Sequence, residues 1–332
     1  MIDLHLHLDG SLSPEDCIFL AEQQRIDLGK DFPSNLFVPA DCPSLEEYLT
    51  KFELPLKLLQ TRSALKYSAY SLVSRLAKMG YIYAEIRFAP LLHLEKGMSQ
   101  LDAAEAALDG VEEAIKDHPE MEANLILCTM RHASMELNTE TIEVANKLKG
   151  TKAVAVDLAG AEALHPSSYY KEIFDLAKKY KLNITIHAGE ATGSDEIMMA
   201  LDNGAMRIGH GVHLSLDEKS VERVKKNNIC FEFCPTSNLQ TKSLNTYKDV
   251  PIMEFLKRDI AVTVNSDNMT VSNTDVYQEF SYLMQTFKMS KDDVYKILNN
   301  SVNHAFVSDD EKKKLKELLD ERFERFYTQI NH

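Results

Sequence analysis

Eight short apolar runs rich in β-forming residues recur along the chain, covering residues 2–9, 81–90, 123–132, 153–160, 182–190, 206–212, 229–235 and 260–267. Stretches of helical periodicity separate them. SLDEKSVERVKKNN is one, with apolar positions at helical spacing and charges elsewhere. Eight strands alternating with helices is the pattern of a (β/α)8 TIM barrel. The length of 332 residues fits one such barrel with insertions. No Pro/Gly/Ser-rich linker divides the chain, and no repeat of solenoid period is present. Residues 1–332 are therefore read as a single domain.

One connection departs from the rest. Roughly seventy residues lie between the first and second runs, far beyond an ordinary connection. They include SLEEYLTKFELPLKLLQ, in which Leu45, Tyr48, Leu49 and Phe52 share a helical face before Pro55 interrupts it. This helical insertion leaves the C-terminal end of strand one. It is expected either to fold over the barrel mouth as an apolar lid or to pack on the barrel side. After the eighth run comes DDEKKKLKELLDERFERF, expected to be a solvated C-terminal helical tail.

Composition excludes several classes of function. The chain is 44% hydrophobic, enough for a large core, and its formal net charge is −14. Without a basic stripe, a nucleic-acid partner is not expected. Five scattered cysteines suit a reduced, cytoplasmic protein better than a disulfide framework. No leader-like segment or membrane-spanning run is read, so no membrane partner is expected.

In a (β/α)8 barrel, chemistry gathers at the C-terminal ends of the strands. The first run ends with His5, His7 and Asp9, and the fifth, reading IHAGE, supplies His187 and Glu190. The sixth carries His210 in IGHG, and the eighth ends NSDN with Asp267 and Asn268. Side chains alternate between the two faces of a strand. His5, His7 and Asp9 thus oppose Leu4, Leu6 and Leu8, while His187 opposes Ile184 and Ile186, and Asp267 opposes Val262 and Val264. With the apolar faces against the helix layer, His5, His7, His187 and Asp267 point inward at one level. Taken singly, each would be an ordinary packed or surface residue. Three imidazoles and one carboxylate together suit one zinc ion. His93, His118, His165, His304 and His332 fall in loops or helices and are read as surface residues. His132, at the end of the third strand, is a candidate to support the site, and His213 is ambiguous.

HLHLDGS, DLAGAE, HAGE, IGHG and NSDN, in this order at strand ends, resemble the adenosine deaminase family of metal-dependent hydrolases over essentially the whole chain. HAGE with GHG is the specific part, since HxHxDG is shared with wider relatives. The resemblance implies zinc-dependent hydrolysis of adenosine, and of 2′-deoxyadenosine, to inosine and ammonia. It implies one Zn2+ per chain, held by His5, His7, His187 and Asp267. It also implies that Glu190 donates and accepts the proton and that His210 orients the attacking water. His7, Asp9, Gly160 and Asn268 would meet the substrate, a small purine nucleoside. Gly160 would do so through its backbone at the purine and Asp9 at a ribose hydroxyl. Family members usually carry an aspartate facing purine N7 where this chain has Asn268. They often carry two acids where Ala161-Glu162 stands here.

The alternatives are a deaminase of adenine or of another 6-aminopurine such as aminofutalosine, and a metal-binding homologue without turnover. Glu190 and His210 speak against the last, because metal binding needs neither. Nucleic-acid and cytidine deaminases use His/Cys/Cys zinc with a PCxxC segment. This chain has FCPTSN instead. Two-metal relatives often place a bridging lysine at the end of strand four, where this chain reads DLAG, so one metal is expected.

Overall fold

The computed structural model describes residues 1–39, 42 and 45–331. Eight parallel strands follow one another around a barrel in chain order. They are β1 (Ile2–His7), β2 (Tyr83–Phe88), β3 (Glu122–Met130), β4 (Ala153–Ala159), β5 (Asn183–Ala188), β6 (Arg207–His210), β7 (Cys230–Phe233) and β8 (Ala261–Val264). The ring closes at one seam just beyond β8. There His7 N donates to Asp267 O at 2.7 Å and Asp267 N donates to His5 O at 2.9 Å. The expected barrel is therefore present.

Four helices lie between β1 and β2: α1 (Pro14–Gln24), α2 (Leu45–Thr50), α3 (Glu53–Leu58) and α4 (Arg62–Lys78). One helix follows each of the next five strands: α5 (Gln100–Asp117), α6 (Met135–Lys147), α7 (Lys171–Lys179), α8 (Ser194–Asp202) and α9 (Glu218–Lys226). Between β7 and β8 come α10 (Pro235–Gln240) and α11 (Ile252–Lys257), and after β8 come α12 (Val276–Phe287), α13 (Lys291–His304) and α14 (Asp309–Ile330). No helix among the described residues is long and apolar enough to cross a membrane.

The outward strand face forms the main core. Ile2, Leu4, Leu6, Ile184, Ile186, Val262 and Val264 pack in one cluster with helix residues such as Leu72, Val111 and Ile297. Each such buried side chain contributes about 1.5–3 kcal/mol. α4 occupies the first helix position of the outer ring and packs on α5. Their approach depends on Gly110, where a Cβ would lie 2.1 Å from Lys66 O. The inward face is unusual for such a barrel, which is normally filled by branched apolar side chains. Here Arg87 bridges Asp157 at 2.8 Å and Glu232 at 2.9 Å, and Arg207 reaches Glu232 at 2.6 Å and Glu85 at 2.5 Å. All are buried, so removing one partner would leave an uncompensated buried charge.

The insertion covers the mouth. Tyr48, Leu49, Phe52 and Leu56 line the cavity there, so of the two expected placements the lid is found. The side chain of Leu45 lies outside the described residues. The sequence pattern has Pro55 interrupt a helix; instead it sits in the first turn of α3. A proline is tolerated there because the N–H it lacks has no partner in that turn. The break falls at Lys51–Phe52. The C-terminal tail is a helix, but an amphipathic one and not simply solvated. Leu315, Leu319, Phe323, Phe326 and Ile330 of α14 are buried.

Candidate active site

At the C-terminal mouth the four expected donors meet. His5 Nε2 lies 3.5 Å and His7 Nε2 3.4 Å from Asp267 Oδ1, and His7 Nε2 lies 3.4 Å from His187 Nε2. The ring centroids of His5 and His187 are 4.5 Å apart. The donors fall into two overlapping sets, His5–His7–His187 and His5–His210–Cys234–Asp267, each with its ligand atoms within 4.8 Å of one another. His5 Nε2 is buried and has no hydrogen-bond partner. An orphaned imidazole nitrogen facing two others and a carboxylate is what a cation site with nitrogen and oxygen ligands requires. The residues present fit a zinc-type ion.

Two carboxylates from the barrel floor orient two of these rings. Glu232 Oε2 meets His5 Nδ1 at 2.7 Å, and Asp157 meets His187 Nδ1 at 3.0 Å. Each Nδ1–H is thereby engaged, and each Nε2 lone pair is aimed at the centre. Burial disfavours charge on His187, but the neighbouring Asp157 outweighs it and raises the imidazole pKa. Burial, with Arg87 and His187 nearby, lowers that of His5. Asp267 is buried too, yet the surrounding imidazoles of His5, His210 and His7 hold it well below the usual carboxylate range. It therefore offers an ionised oxygen.

Glu190 and His210 flank the cluster. His210 Nε2 is 3.6 Å from Glu190 Oε2, and Thr241 Oγ1 donates to Glu190 Oε1 at 3.1 Å. The amide of Asn238 donates to His210 Nδ1 at 3.1 Å, which makes Nδ1 the acceptor and leaves the proton on Nε2. Two non-glycine residues here take left-handed backbone, His210 at φ +60° and Asp267 at φ +59°. Such conformations cost about 1–3 kcal/mol each and persist where surrounding structure imposes them.

The cavity over these groups measures about 300 Å3, at the lower end of small-molecule sites. Asp9, Gly160 and Asn268 all line it, with the lid residues opposite. Asp9 is not the continuation of β1 that alternation predicts. Leu8 turns into helical backbone (φ −64°, ψ −51°), and Asp9 opens a short 3-10 turn that still delivers it to the cavity. Burial raises its pKa to about 6. Gly160 has φ +105°, a conformation that residues with side chains rarely adopt. Asn268 donates to Tyr48 Oη at 2.8 Å, and a Cβ on Gly10 would lie 1.9 Å from its side-chain oxygen. Two larger cavities, of about 690 and 640 Å3, lie by the N-terminal ends of strands, beside Met1 and beside Ala153 and Asn183. They hold none of these groups.

Among the other histidines, His93 is a correction. It is fully buried, with Nδ1 on Leu59 O at 3.0 Å, and burial lowers its pKa to about 4. His118, His165 and His304 are partly buried, and His213 is exposed. His332 lies outside the described residues. His132 is exposed at the cavity rim, and its neighbour Arg131 supports the site instead. Arg131 donates to the carbonyl oxygens of His187, at 2.6 Å, and of His165, and also to Glu196 at 3.1 Å. Asp157, Glu232, Arg87, Asn238 and Arg131 are neighbours of the site that sequence reasoning missed. A signal existed for the first three, since each is a charged residue on the inward parity of its strand, opposite an apolar face.

The sequence profile of the family described as Adenosine deaminase matches residues 1–322. Curated relatives named adenosine deaminase include one from Haemophilus ducreyi, 43% identical over 97% of this chain and 96% of the relative. Another, from Clostridium botulinum, is 40% identical over 96% of this chain and 98% of the relative. Among solved structures, an adenine deaminase from Arthrobacter aurescens superposes with a TM-score of 0.88 at 25% identity, covering 97% of this chain and 98% of that one. An amidohydrolase from Burkholderia ambifaria, solved with bound Zn, gives 0.88 at 17% identity over 99% and 92%, a likeness of fold.

Proposed function

The chain belongs to the adenosine deaminase family, and on that premise we propose that it hydrolyses adenosine to inosine and ammonia at this mouth, with zinc as its metal. The observation that carries the proposal is the meeting of His5, His7, His187 and Asp267 at one point, with Glu190 and His210 beside them under an apolar lid. His5, His7, His187 and Asp267 would hold the ion. When bound, zinc supplies the nucleophile by lowering the pKa of a water to about 7.

The chain's own residues do the rest. Glu190 delivers a proton to purine N1, which relieves the aromatic ring's resistance to addition at C6. The Nε2–H of His210, fixed by Asn238, hydrogen-bonds the attacking oxygen and keeps it over C6. Left as a carboxylate, Glu190 then takes the proton of the oxygen added at C6 and passes it to the 6-amino group, so that ammonia leaves and C6 becomes a carbonyl. Asp9 accepts a ribose hydroxyl, and the backbone of Gly160 lies against the purine. Tyr48, Leu49 and Phe52 keep bulk water off the ring.

Loss of adenosine absorbance on adding the purified protein tests the reading, alongside deoxyadenosine, adenine and aminofutalosine. Adenosine is expected to react fastest. Faster reaction of adenine would instead favour a base deaminase. Metal analysis should find about one zinc per chain. Glu190→Gln should keep metal and ground-state binding while turnover falls about 10²–10⁴-fold. Near-normal turnover would remove Glu190 from its role. Asp9→Ala should cost adenosine roughly 10- to 150-fold in kcat/KM, the worth of a hydrogen bond to a charged acceptor, and adenine little. Equal losses on both would dismiss the ribose contact.

A further inference from the structure

The acid of Ala161-Glu162, which the reaction does not use, has an unusual set of partners. Its carboxylate is buried in the loop after β4 and faces the loop after β5. One oxygen accepts from Gly189 N at 2.8 Å and from the Thr192 hydroxyl. The other accepts from Glu190 N at 3.0 Å and Ala191 N at 3.3 Å. Three successive backbone donors and one hydroxyl, centred on Glu190, thus converge on one carboxylate. The three N–H groups can only donate, so each needs an acceptor oxygen opposite it. Glu162 itself sits on a braced segment. Arg131 holds the carbonyl oxygens of His165 and His187, and Ser167 N donates to Glu196 at 2.6 Å. Glu190 follows Gly189, which takes φ +69°, so its backbone has no regular ladder to fix it.

We propose that Glu162 is the positioning residue for Glu190: it clamps the 189–192 turn so that the acid meets the substrate ring at a fixed distance. This rests on the proton-donor role given to Glu190 above. Glu162→Gln is the informative change, because whichever way its amide turns, an N–H donor faces at least one backbone N–H. A displacement near 1 Å costs about 100-fold in well-oriented chemistry. Glu162→Gln should therefore lower kcat on adenosine by roughly 10- to 100-fold. KM and zinc content should stay close to those of the unmutated protein.

The decisive readout is a double-mutant cycle. If Glu162 acts through Glu190, adding Glu162→Gln to Glu190→Gln should cost less than about 3-fold, because the group it positions is already disabled. The full loss in both backgrounds, a normal kcat for Glu162→Gln, or loss of zinc would each overturn the proposal. Should Glu162→Gln fail to fold, Thr192→Val removes one donor and leaves the carboxylate, and the same cycle decides with a smaller, several-fold effect. Hydrogen exchange separates the clamp from the assigned reaction. Amide protection at 189–191 should fall in Glu162→Gln while that of β5 is kept, and unchanged protection would overturn the clamp whatever the substrate. If the unmutated protein ignores adenosine, the functional reading fails, and the exchange result alone judges the clamp.

Discussion

The side-chain amide of Asn268 carries two hydrogens, and the lid residue Tyr48 takes one of them. Among the described residues no partner takes the second, which would be available to purine N7, a hydrogen-bond acceptor. An ionised aspartate at this place could bond N7 only if the ring or the carboxyl were protonated, whereas asparagine donates as it stands. Asn268→Ala should lower kcat/KM for adenosine roughly 2- to 13-fold, the worth of a neutral hydrogen bond of about 0.5–1.5 kcal/mol. With 7-deazaadenosine, which lacks the acceptor, the mutation should cost little. An equal cost with both substrates would show that Asn268 serves Tyr48 alone. At this scale the legible residues were those whose neighbours declare them. His5 and His7 announce a strand by alternation, and His187 closes the alternating run NITIH. Asp157, Glu232 and Glu162 act on partners about 30 to 230 positions away, and only the assembled barrel brings donor and acceptor together. Asn238 was hidden differently, since an asparagine in a short helix reads as a turn residue.

Among the elements, α12 is joined to the start of α10 by Glu279. Its oxygens accept from Thr236 N at 3.1 Å and the Thr274 hydroxyl at 2.7 Å, with no cation among these partners. Burial raises its pKa to about 7 from an ordinary value near 4.5. The folded chain thus holds this proton more tightly than the unfolded one. The stabilisation is fully present below about pH 4.5 and is lost as pH rises through 7. At about 1.4 kcal/mol per unit, the change amounts to a few kcal/mol. Urea unfolding at pH 5 and pH 8 should show this loss in the unmutated protein and a flatter profile in Glu279→Gln. Equal pH dependence in the two would place the titration elsewhere. The existence and order of the strands were legible from their runs. Their mouth-side ends were not, because turns at Leu8, Gly189 and His210 depend on backbone torsions that alternation does not encode. The lid was legible as an apolar helical face, but its place over the mouth was not. Tyr48 finds Ser272 and Asn268 only across the barrel seam.

Over the whole molecule, the site and the barrel closure are one construction. His5 and His7 stand on the first strand, Asp267 just past the eighth, and the two backbone hydrogen bonds of the seam run between these same residues. An ion held by them would tie the two ends of the sheet. Removing metal with a chelator should lower the unfolding temperature, and excess zinc should restore it. Excess at 100 times the dissociation constant adds about 2.7 kcal/mol. Amide exchange at His7 and Asp267 should quicken more than exchange in β3 or β4. Unchanged exchange at both amides after metal loss would separate the site from the seam. The consequence reaches past catalysis. A barrel unzipped between its first and last strands exposes two bare sheet edges, and such edges recruit other chains. Scarcity of metal would then appear in a cell first as clumped and discarded protein and only second as slow turnover, and the soluble yield of a metal-starved culture would record it.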